Sequence, residues 1–379
     1  MAPELASHAR PNVLEIDLGS IANCVRNVRN TVGPQVKIFA ALKSNAYGFG
    51  LVQVARTALE FGADALSLVD RADAVALRKA GFTVPILVYA GSLIDEGAVA
   101  AIEQYDLIPT LIDPTEIDVF ARHAKRPVRY AVKLNVGQER IGVDAEQIVS
   151  FVKAAQRVPR LELHIVNAHP HVARGEDAAV LQWQYERFLR ACTALENAGI
   201  TVPVKLFAAS KTLALTREMS LDAIDPGQGL YGPLKREPGQ PAPARFRPLR
   251  ALKSRLIQVR KVVRDDFRDK APFPLREGMV LGILPIGASD GMLQVHAGEV
   301  LVRGRRAKVV ASPSLEYTRV DLTGIEGAAF GDEVVIIGEQ GGDQIYPEDV
   351  AARHGVQVTD VVMAVRSTIP RKYFPPAAA

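Results

Sequence analysis

The regular alternation of short apolar runs with amphipathic segments, from about residue 12 to residue 232, constrains this fold more than any other feature. Runs such as VLEIDL (13–18) and VKIFAALK (36–43) indicate strands, and segments such as LVQVARTALEFG (51–62) carry apolar residues at helical spacing. About eight such strand–helix units succeed one another, a number typical of one closed barrel. The pattern therefore predicts a parallel (β/α)8 barrel.

A proline-rich segment, KREPGQPAPARFRP (235–248), ends this alternation and is interpreted as a domain connection. Beyond it, apolar and polar residues alternate singly, as in GEVLVRGRRAKVV (298–310), which is typical of strands. The exception is YPEDVAARHG (346–355), with Pro near its start and Gly at its end, which predicts a helix. The predicted fold is α/β: an N-terminal TIM-like (β/α)8 barrel over 12–240, followed by a C-terminal β-rich domain over 245–379.

Composition argues against several classes of protein. The chain carries 46 basic and 42 acidic residues, a net charge of only +4, and has no clustered basic patch, so we expect no nucleic-acid partner. No apolar run is long enough to span a bilayer, and the first residues lack the apolar core of a secretory signal, so we expect no membrane association. Cys24 and Cys192 are far apart and lie in predicted helices, as buried apolar residues do. A cytoplasmic protein without a metal site is predicted.

The string ALKSNAYGFG (41–50) carries the strongest chemical signal. Lys43 ends a buried strand, and barrel active sites lie at the carboxyl ends of the strands. A lysine desolvated in such a place can form a Schiff base with a carbonyl compound. An exposed lysine after a strand is the alternative for Lys43 taken alone, but it does not account for the tyrosine and glycines that follow.

ALKSNAYGFG resembles the cofactor-lysine signature of alanine racemases, which are fold-type III enzymes that use pyridoxal 5'-phosphate (PLP). Further strings have counterparts in that family in the same order: IDLGSIANCVRNVR (16–29), VKLNVGQERIGV (132–143), HIVNAHPHVA (164–173), FAASKTLAL (207–215), DPGQGLYG (225–232), LPIGASDG (284–291) and STIPR (367–371). The resemblance implies a PLP cofactor and a small-molecule amino-acid substrate. It also implies a homodimer in which the partner's β domain completes each of two shared active sites.

The resemblance assigns roles to individual residues. Lys43 would form the Schiff base and act as one of two acid/base groups. Arg140 would reach the phenolic oxygen of the cofactor, and Lys133 matches a lysine that is carbamylated in the family and steadies that arginine. His169 would lie beside the pyridine ring, with a core histidine as the alternative. Residues around the phosphate would be Tyr47, Ser210, Gly227, Gln228 and Tyr231.

Ala288 departs from the family pattern. Racemisation needs acid/base groups on both faces of the carbanion, and the family supplies a tyrosine from the string LPxGYADG, which is LPIGASDG here. A methyl group cannot carry a proton, and the hydroxyl of Ser289 is a weak base. Loss of a positioned acid/base group costs a factor of about 10² to 10⁴ in rate.

Asp225 is the second departure, because the family places an arginine against the pyridine nitrogen. A carboxylate there would hold the nitrogen protonated and strengthen the ring as an electron sink. This favours a quinonoid carbanion that leads to decarboxylation, retro-aldol cleavage, β-elimination or transamination. DPGQ also resembles the EPGR of fold-type III decarboxylases. A helix N-cap is the alternative role for Asp225.

The substrate pocket is also rebuilt. Leu315 and Glu316 replace the family's Met-Asp pair, and Ser367 replaces a tyrosine of its YRVPR string. Tyr317 is a candidate replacement proton donor, with a plain strand residue as the alternative. The favoured hypothesis is a PLP-dependent lyase or isomerase that acts at Cα with a non-racemase outcome. The alternatives are an amino-acid racemase with a second base other than tyrosine and a PLP-binding protein without turnover.

Overall fold

A computed structural model of the chain describes residues 10–172, 178–234, 241–263, 273 and 275–376. These residues fall into two compact units. The first comprises Ile21–Ala46 and the described residues from Leu51 to 234. The second comprises those before Ile21, the segment Tyr47–Gly50, and those from 241 onward.

Strands and helices are numbered here in chain order. The strands are β1 (Val13–Asp17), β2 (Lys37–Ala41), β3 (Ala65–Leu68), β4 (Ile86–Val88), β5 (Ile108–Leu111), β6 (Val128–Asn135), β7 (Val143–Asp144), β8 (Leu161–Asn167), β9 (Val204–Ala208), β10 (Ala223–Ile224), β11 (Leu249–Arg255), β12 (Gln258–Lys261), β13 (Val280–Leu284), β14 (Glu299–Val302), β15 (Arg305–Val309), β16 (Thr318–Asp321), β17 (Glu333–Gln340), β18 (Asp343–Ile345) and β19 (Arg371–Phe374). The helices are α1 (Leu18–Val32), α2 (Leu51–Glu60), α3 (Arg71–Lys79), α4 (Glu96–Gln104), α5 (Pro114–His123), α6 (Ile148–Gln156), α7 (Ala178–Asn197), α8 (Ser210–Leu215), α9 (Met292–Val295), α10 (Pro347–His354) and α11 (Val358–Ala364).

Eight parallel strands of the first unit close into a barrel. Around the circle they run β2, β3, β4, β5, β6, β8, β9 and β10, and β10 pairs with β2 again. Every strand contributes to one buried core cluster: Phe39, Ala65, Leu87, Ile108, Ala131, Ile165, Val204, Leu206 and Ala223. Inward-facing side chains thus fill the barrel, as expected for eight strands, and the predicted (β/α)8 architecture is confirmed.

The first predicted strand belongs to a different sheet from the one expected. VLEIDL forms β1, but β1 pairs antiparallel with β11 and parallel with β19 in the second unit. The barrel's eighth strand is instead β10, only two residues long, and so short a strand has no recognisable sequence pattern. A local apolar run indicates a strand, but only long-range pairing decides which sheet it joins.

The second unit is built on a mixed sheet. Its strands follow the order β12, β13, β16, β15, β14, β17, β11, β1 and β19, with β18 paired to β17. The predicted helix at 346–355 is confirmed as α10, which ends at Gly355 in a left-handed conformation. The following helix α11 was not predicted, because its sequence VTDVVMA is rich in β-branched residues that favour strands. The Asp360 carboxylate caps the N-terminus of α11 by accepting a hydrogen bond from the Gln357 N–H at 2.9 Å.

Both cysteines are buried and free, and burial raises the pKa of each thiol to about 12. Among the described residues, no helix is both long enough and apolar enough to cross a membrane. Of the predicted connection at 235–248, residues 235–240 lie outside the described part of the chain, and Ala244–Phe246 form a 3-10 turn.

Gly291 should be far less tolerant of alanine than Gly81, although both have nearly the same backbone conformation (φ 95° and 90°). A Cβ at Gly291 would lie 2.1 Å from the carbonyl oxygen of Ala364, whereas one at Gly81 would meet nothing within 4 Å. Left-handed strain should cost each variant about 1–2 kcal/mol, and the clash should cost Gly291→Ala about 1–3 kcal/mol more. Urea unfolding of both variants measures the difference, and equal losses would contradict the packing around Gly291.

Candidate active site

Lys43 lies at the carboxyl end of β2, followed by an unusual turn. Ser44, Asn45, Ala46 and Tyr47 all have φ of 54–55°, so the backbone makes one left-handed helical turn, which is strained for residues other than glycine. The Asn45 side chain accepts the Leu51 N–H at 2.8 Å, at the first residue of α2. The Lys43 side chain is exposed in the single chain, whereas its sequence context predicted that it would be desolvated. Persistent strain beside an exposed lysine is a feature of functional sites.

Several cations surround His169, which follows β8. Burial, together with the positive charges of Lys133, Lys43, Arg140 and Lys211, lowers the pKa of His169 to about 3. The imidazole is therefore neutral at physiological pH. A group of this many positive charges favours an anionic ligand at the mouth of the barrel.

Lys133 points from β6 into the same region. It is buried, and burial lowers the pKa of its ammonium group to about 8, with Arg140 and Lys43 acting in the same direction and Asp225 opposing them. Its Nζ lies 5.4 Å from the centroid of the Tyr89 ring. Arg140 lies in a loop seven residues further on and is exposed.

Asp225 follows β10, and the negative charge of its carboxylate raises the pKa of Lys133. It is 8% exposed, and burial raises its pKa to about 6. One oxygen, Oδ2, accepts the hydroxyl of Tyr89 at 2.7 Å, whereas Oδ1 is buried and has no hydrogen-bond partner within the described residues. The alternative role of Asp225 as a helix N-cap is wrong, because Gly227 occupies that position before the 3-10 turn Gln228–Leu230.

Tyr89 was not identified from the sequence. The signal was present in PILVYA, since a tyrosine directly after a barrel strand lies at the end where active sites form. A single tyrosine is far more often a packing residue, so only its hydrogen bond to Asp225 singles it out.

Four of the residues predicted around the phosphate, Ser210, Gly227, Gln228 and Tyr231, follow β9 and β10. Ser210 begins α8, and its Oγ accepts the Gly229 N–H at 2.9 Å. A Cβ at Gly229 would lie 2.7 Å from the Leu234 side chain, so the backbone passes close there. The Tyr231 hydroxyl donates to the carbonyl oxygen of Ala41 at 3.5 Å, which connects the turn holding Gly227 and Gln228 to the end of β2.

In the second unit, the loop with Ala288 packs on the loop with Glu316. The Ala288 N–H donates to the Ser314 carbonyl at 2.8 Å, and the Ser289 hydroxyl donates to Oε1 of Glu316 at 3.3 Å. Arg10 forms ion pairs with both Glu316 and Asp290. The structure thus brings together two predicted pocket segments that are more than twenty residues apart in the sequence.

The other predicted pocket residues differ in exposure. Leu315 is 67% exposed and Tyr317 49%, and Tyr317 lies just before β16 rather than within it. Ser367 is exposed, whereas Tyr47 is buried in the same unit.

Comparisons with known proteins agree with this architecture. Models of the alanine racemase N-terminal and C-terminal domains match residues 16–235 and 250–373. The chain belongs to the alanine racemase family. An alanine racemase of Halothermothrix orenii is 29% identical over 96% of this chain and 97% of its own, and one of Desulforamulus reducens is 30% identical over 95% and 98%. The crystal structure of alanine racemase from Bacillus anthracis with bound L-Ala-P aligns with a TM-score of 0.85 at 25% identity, covering 97% of this chain and 95% of that one.

The cofactor of this family is PLP, and the barrel mouth fits it. Four cations suit a phosphate dianion and a substrate carboxylate. The buried, unpartnered Oδ1 of Asp225 is an acceptor that lacks a donor within the described residues, as a protonated pyridine nitrogen would supply. The close backbone at Gly229 beside Ser210 suits phosphate binding by N–H and hydroxyl groups.

Lys43→Ala should abolish the visible absorbance that the lysine-bound cofactor gives, because no other amine is expected to form the Schiff base. Lys211→Ala is the matched control: it removes another cation of the same group, but one whose Nζ is held by the Val172 carbonyl at 2.9 Å. Spectra of both variants after incubation with PLP test this assignment. A visible band that persists in Lys43→Ala would show that another lysine carries the cofactor.

Proposed function

We propose that this member of the family opens a bond at Cα of a PLP-bound amino acid and that the outcome is not simple racemisation. The observation that carries the proposal is the buried Asp225 carboxylate, in which Oδ2 accepts the Tyr89 hydroxyl and Oδ1 has no hydrogen-bond partner within the described residues. The products would arise by loss of the carboxylate, Cα–Cβ cleavage, β-elimination or transamination.

Bound PLP supplies an electron-withdrawing ring that stabilises negative charge at Cα. Asp225 contributes an acceptor for the pyridine nitrogen's proton, because a carboxylate stabilises the protonated form of a neighbouring base. An arginine at this position would have the opposite effect. The replacement of the family's arginine by Asp225 therefore favours reactions that need a strong electron sink over racemisation, in which a proton must be returned to Cα under tight control.

Lys43 is the proposed base and the proposed point of cofactor attachment. In the family's position for the second acid/base group, Ala288 offers only a methyl group, so this chain has no side chain there that can transfer a proton. Proton transfer from one face alone disfavours interconversion of enantiomers and leaves other bonds at Cα open to cleavage.

The remaining site residues keep the roles that the family resemblance implies. Arg140, steadied by Lys133, would bind the phenolic oxygen, and His169 would lie beside the ring as a neutral imidazole. The phosphate would be held by Tyr47, Ser210, Gly227, Gln228 and Tyr231. The substrate pocket would include Lys133, Ala288, Ser289, Leu315, Glu316, Tyr317 and Ser367.

We also propose that the protein is a homodimer. The side chains of Leu315 and Tyr317 are large, partly apolar and exposed beside the Ala288 loop. Such exposed apolar side chains are typical of surfaces that become covered in an assembly. We infer that this loop of one subunit contributes to the active site of its partner.

Alanine racemisation is the second candidate function, because the relatives named above are alanine racemases. One contact favours it: the Ser289 hydroxyl donates to the Glu316 carboxylate, which could accept its proton and so make Ser289 a usable second base. Tyr317 or a water molecule are the other candidates for that role.

Incubation of the PLP-loaded protein with single D- and L-amino acids in D2O distinguishes the two functions. We expect a product that has lost CO2, an aldehyde fragment or ammonia, detected by chiral chromatography with mass detection, and no such product from Lys43→Ala. Appearance of the deuterated opposite enantiomer as the main product would overturn the proposal in favour of racemisation.

Ala288→Tyr should increase racemase activity towards alanine, because it restores a phenol in the family's position. A positioned acid/base group typically contributes a factor of about 10² to 10⁴, so we expect an increase of at least tenfold. Ala288→Phe is the control, since it adds the same ring without the hydroxyl. An equal rate for the two variants would show that the missing phenol does not limit racemisation.

A further inference from the structure

The Tyr89 hydroxyl donates a hydrogen bond to Oδ2 of Asp225 at 2.7 Å. Because Tyr89 is the donor, this bond favours the ionised form of the Asp225 carboxyl group. The backbone on both sides is fixed: the Tyr89 N–H donates to Leu68 O at 2.8 Å, and the Asp225 N–H donates to Ala208 O at 3.0 Å. The ends of β4 and β10 thus hold the phenol and the carboxylate in place, and Oδ1 has no hydrogen-bond donor within the described residues.

We propose that Tyr89 is a positioning residue that directs Oδ1 of Asp225 towards the pyridine nitrogen and keeps their shared proton on the nitrogen. This inference rests on the proposed function of Asp225 and adds to it a residue outside the family resemblance. A hydrogen bond to one carboxylate oxygen withdraws charge from the other, which makes Oδ1 a weaker base than it would be alone.

The surroundings of Asp225 make this contribution necessary. Burial favours the neutral carboxyl group and raises its pKa to about 6, and the groups that oppose burial are the Tyr89 hydroxyl, Lys133 and Lys43. Lys43 is engaged in the chemistry once the cofactor is attached. Lys133 Nζ lies 5.4 Å from the centroid of the Tyr89 ring, so Tyr89 contacts both Asp225 and one of the cations that keep it ionised.

Tyr89→Phe should therefore move the shared proton towards the carboxylate. A hydrogen bond to a charged group contributes enough to change this proton equilibrium by about tenfold. The nitrogen would be less protonated at neutral pH, and the ring would be a weaker electron sink. Substrate binding should change little, so the loss should fall on kcat more than on KM.

The test uses holoenzyme loaded with PLP that carries 15N in the ring, because the nitrogen chemical shift reports its protonation directly. We expect the parent to show the most protonated nitrogen, Asp225→Asn the least, and Tyr89→Phe a value between them. Tyr130→Phe is the matched control: Tyr130 is a buried barrel tyrosine whose hydroxyl has no partner within the described residues, and its shift should equal the parent's.

Incorporation of 3-fluorotyrosine at position 89 gives a second variant, with a more acidic phenol and the opposite expected shift. It keeps the test decisive even if Tyr89→Phe fails to fold or to bind cofactor. An unchanged signal in both Tyr89 variants, with a changed signal in Asp225→Asn, would overturn this inference alone. An unchanged signal in Asp225→Asn would overturn the proposed function of Asp225 as well.

Discussion

Closure of the parallel barrel is the constraint on which the rest of this protein depends. Because all eight strands point the same way, their carboxyl ends meet at one mouth, and residues from distant parts of the chain become neighbours. Lys43 follows β2, Tyr89 follows β4, and Asp225 follows β10. These residues lie in three separate segments of the sequence, and the circle of hydrogen bonds between strands brings the segments to one end of the barrel.

The electrostatics of the mouth follow from this crowding. Burial lowers the pKa of Lys133 and raises that of Asp225, and burial together with the surrounding cations keeps His169 neutral. One carboxylate among several cations leaves an excess of positive charge, which suits a phosphate and a substrate carboxylate. The same carboxylate, whose Oδ1 has no hydrogen-bond partner among the residues described, adds an acceptor that an arginine in its place could not provide.

The second unit contains the loops with Ala288 and Leu315, which were predicted to line the substrate pocket. Its Ala288 loop is held by backbone hydrogen bonds to the Leu315 loop, so the family's scaffold is kept although its tyrosine is gone. Ser289 and Glu316, which sequence reasoning placed in the pocket separately, are hydrogen-bonded to each other.

Sequence alone determined the barrel and the β-rich second domain and predicted Lys43 as the cofactor lysine, because periodicity and motifs are local properties of the chain. It could not place β1, which has the pattern of any strand, or detect β10, which has too few residues to show a pattern. It did not predict α11, whose β-branched residues favour a strand. Only the tertiary structure decided that Tyr89 donates to Asp225, because that hydrogen bond joins residues 136 positions apart and depends on the closure of the barrel.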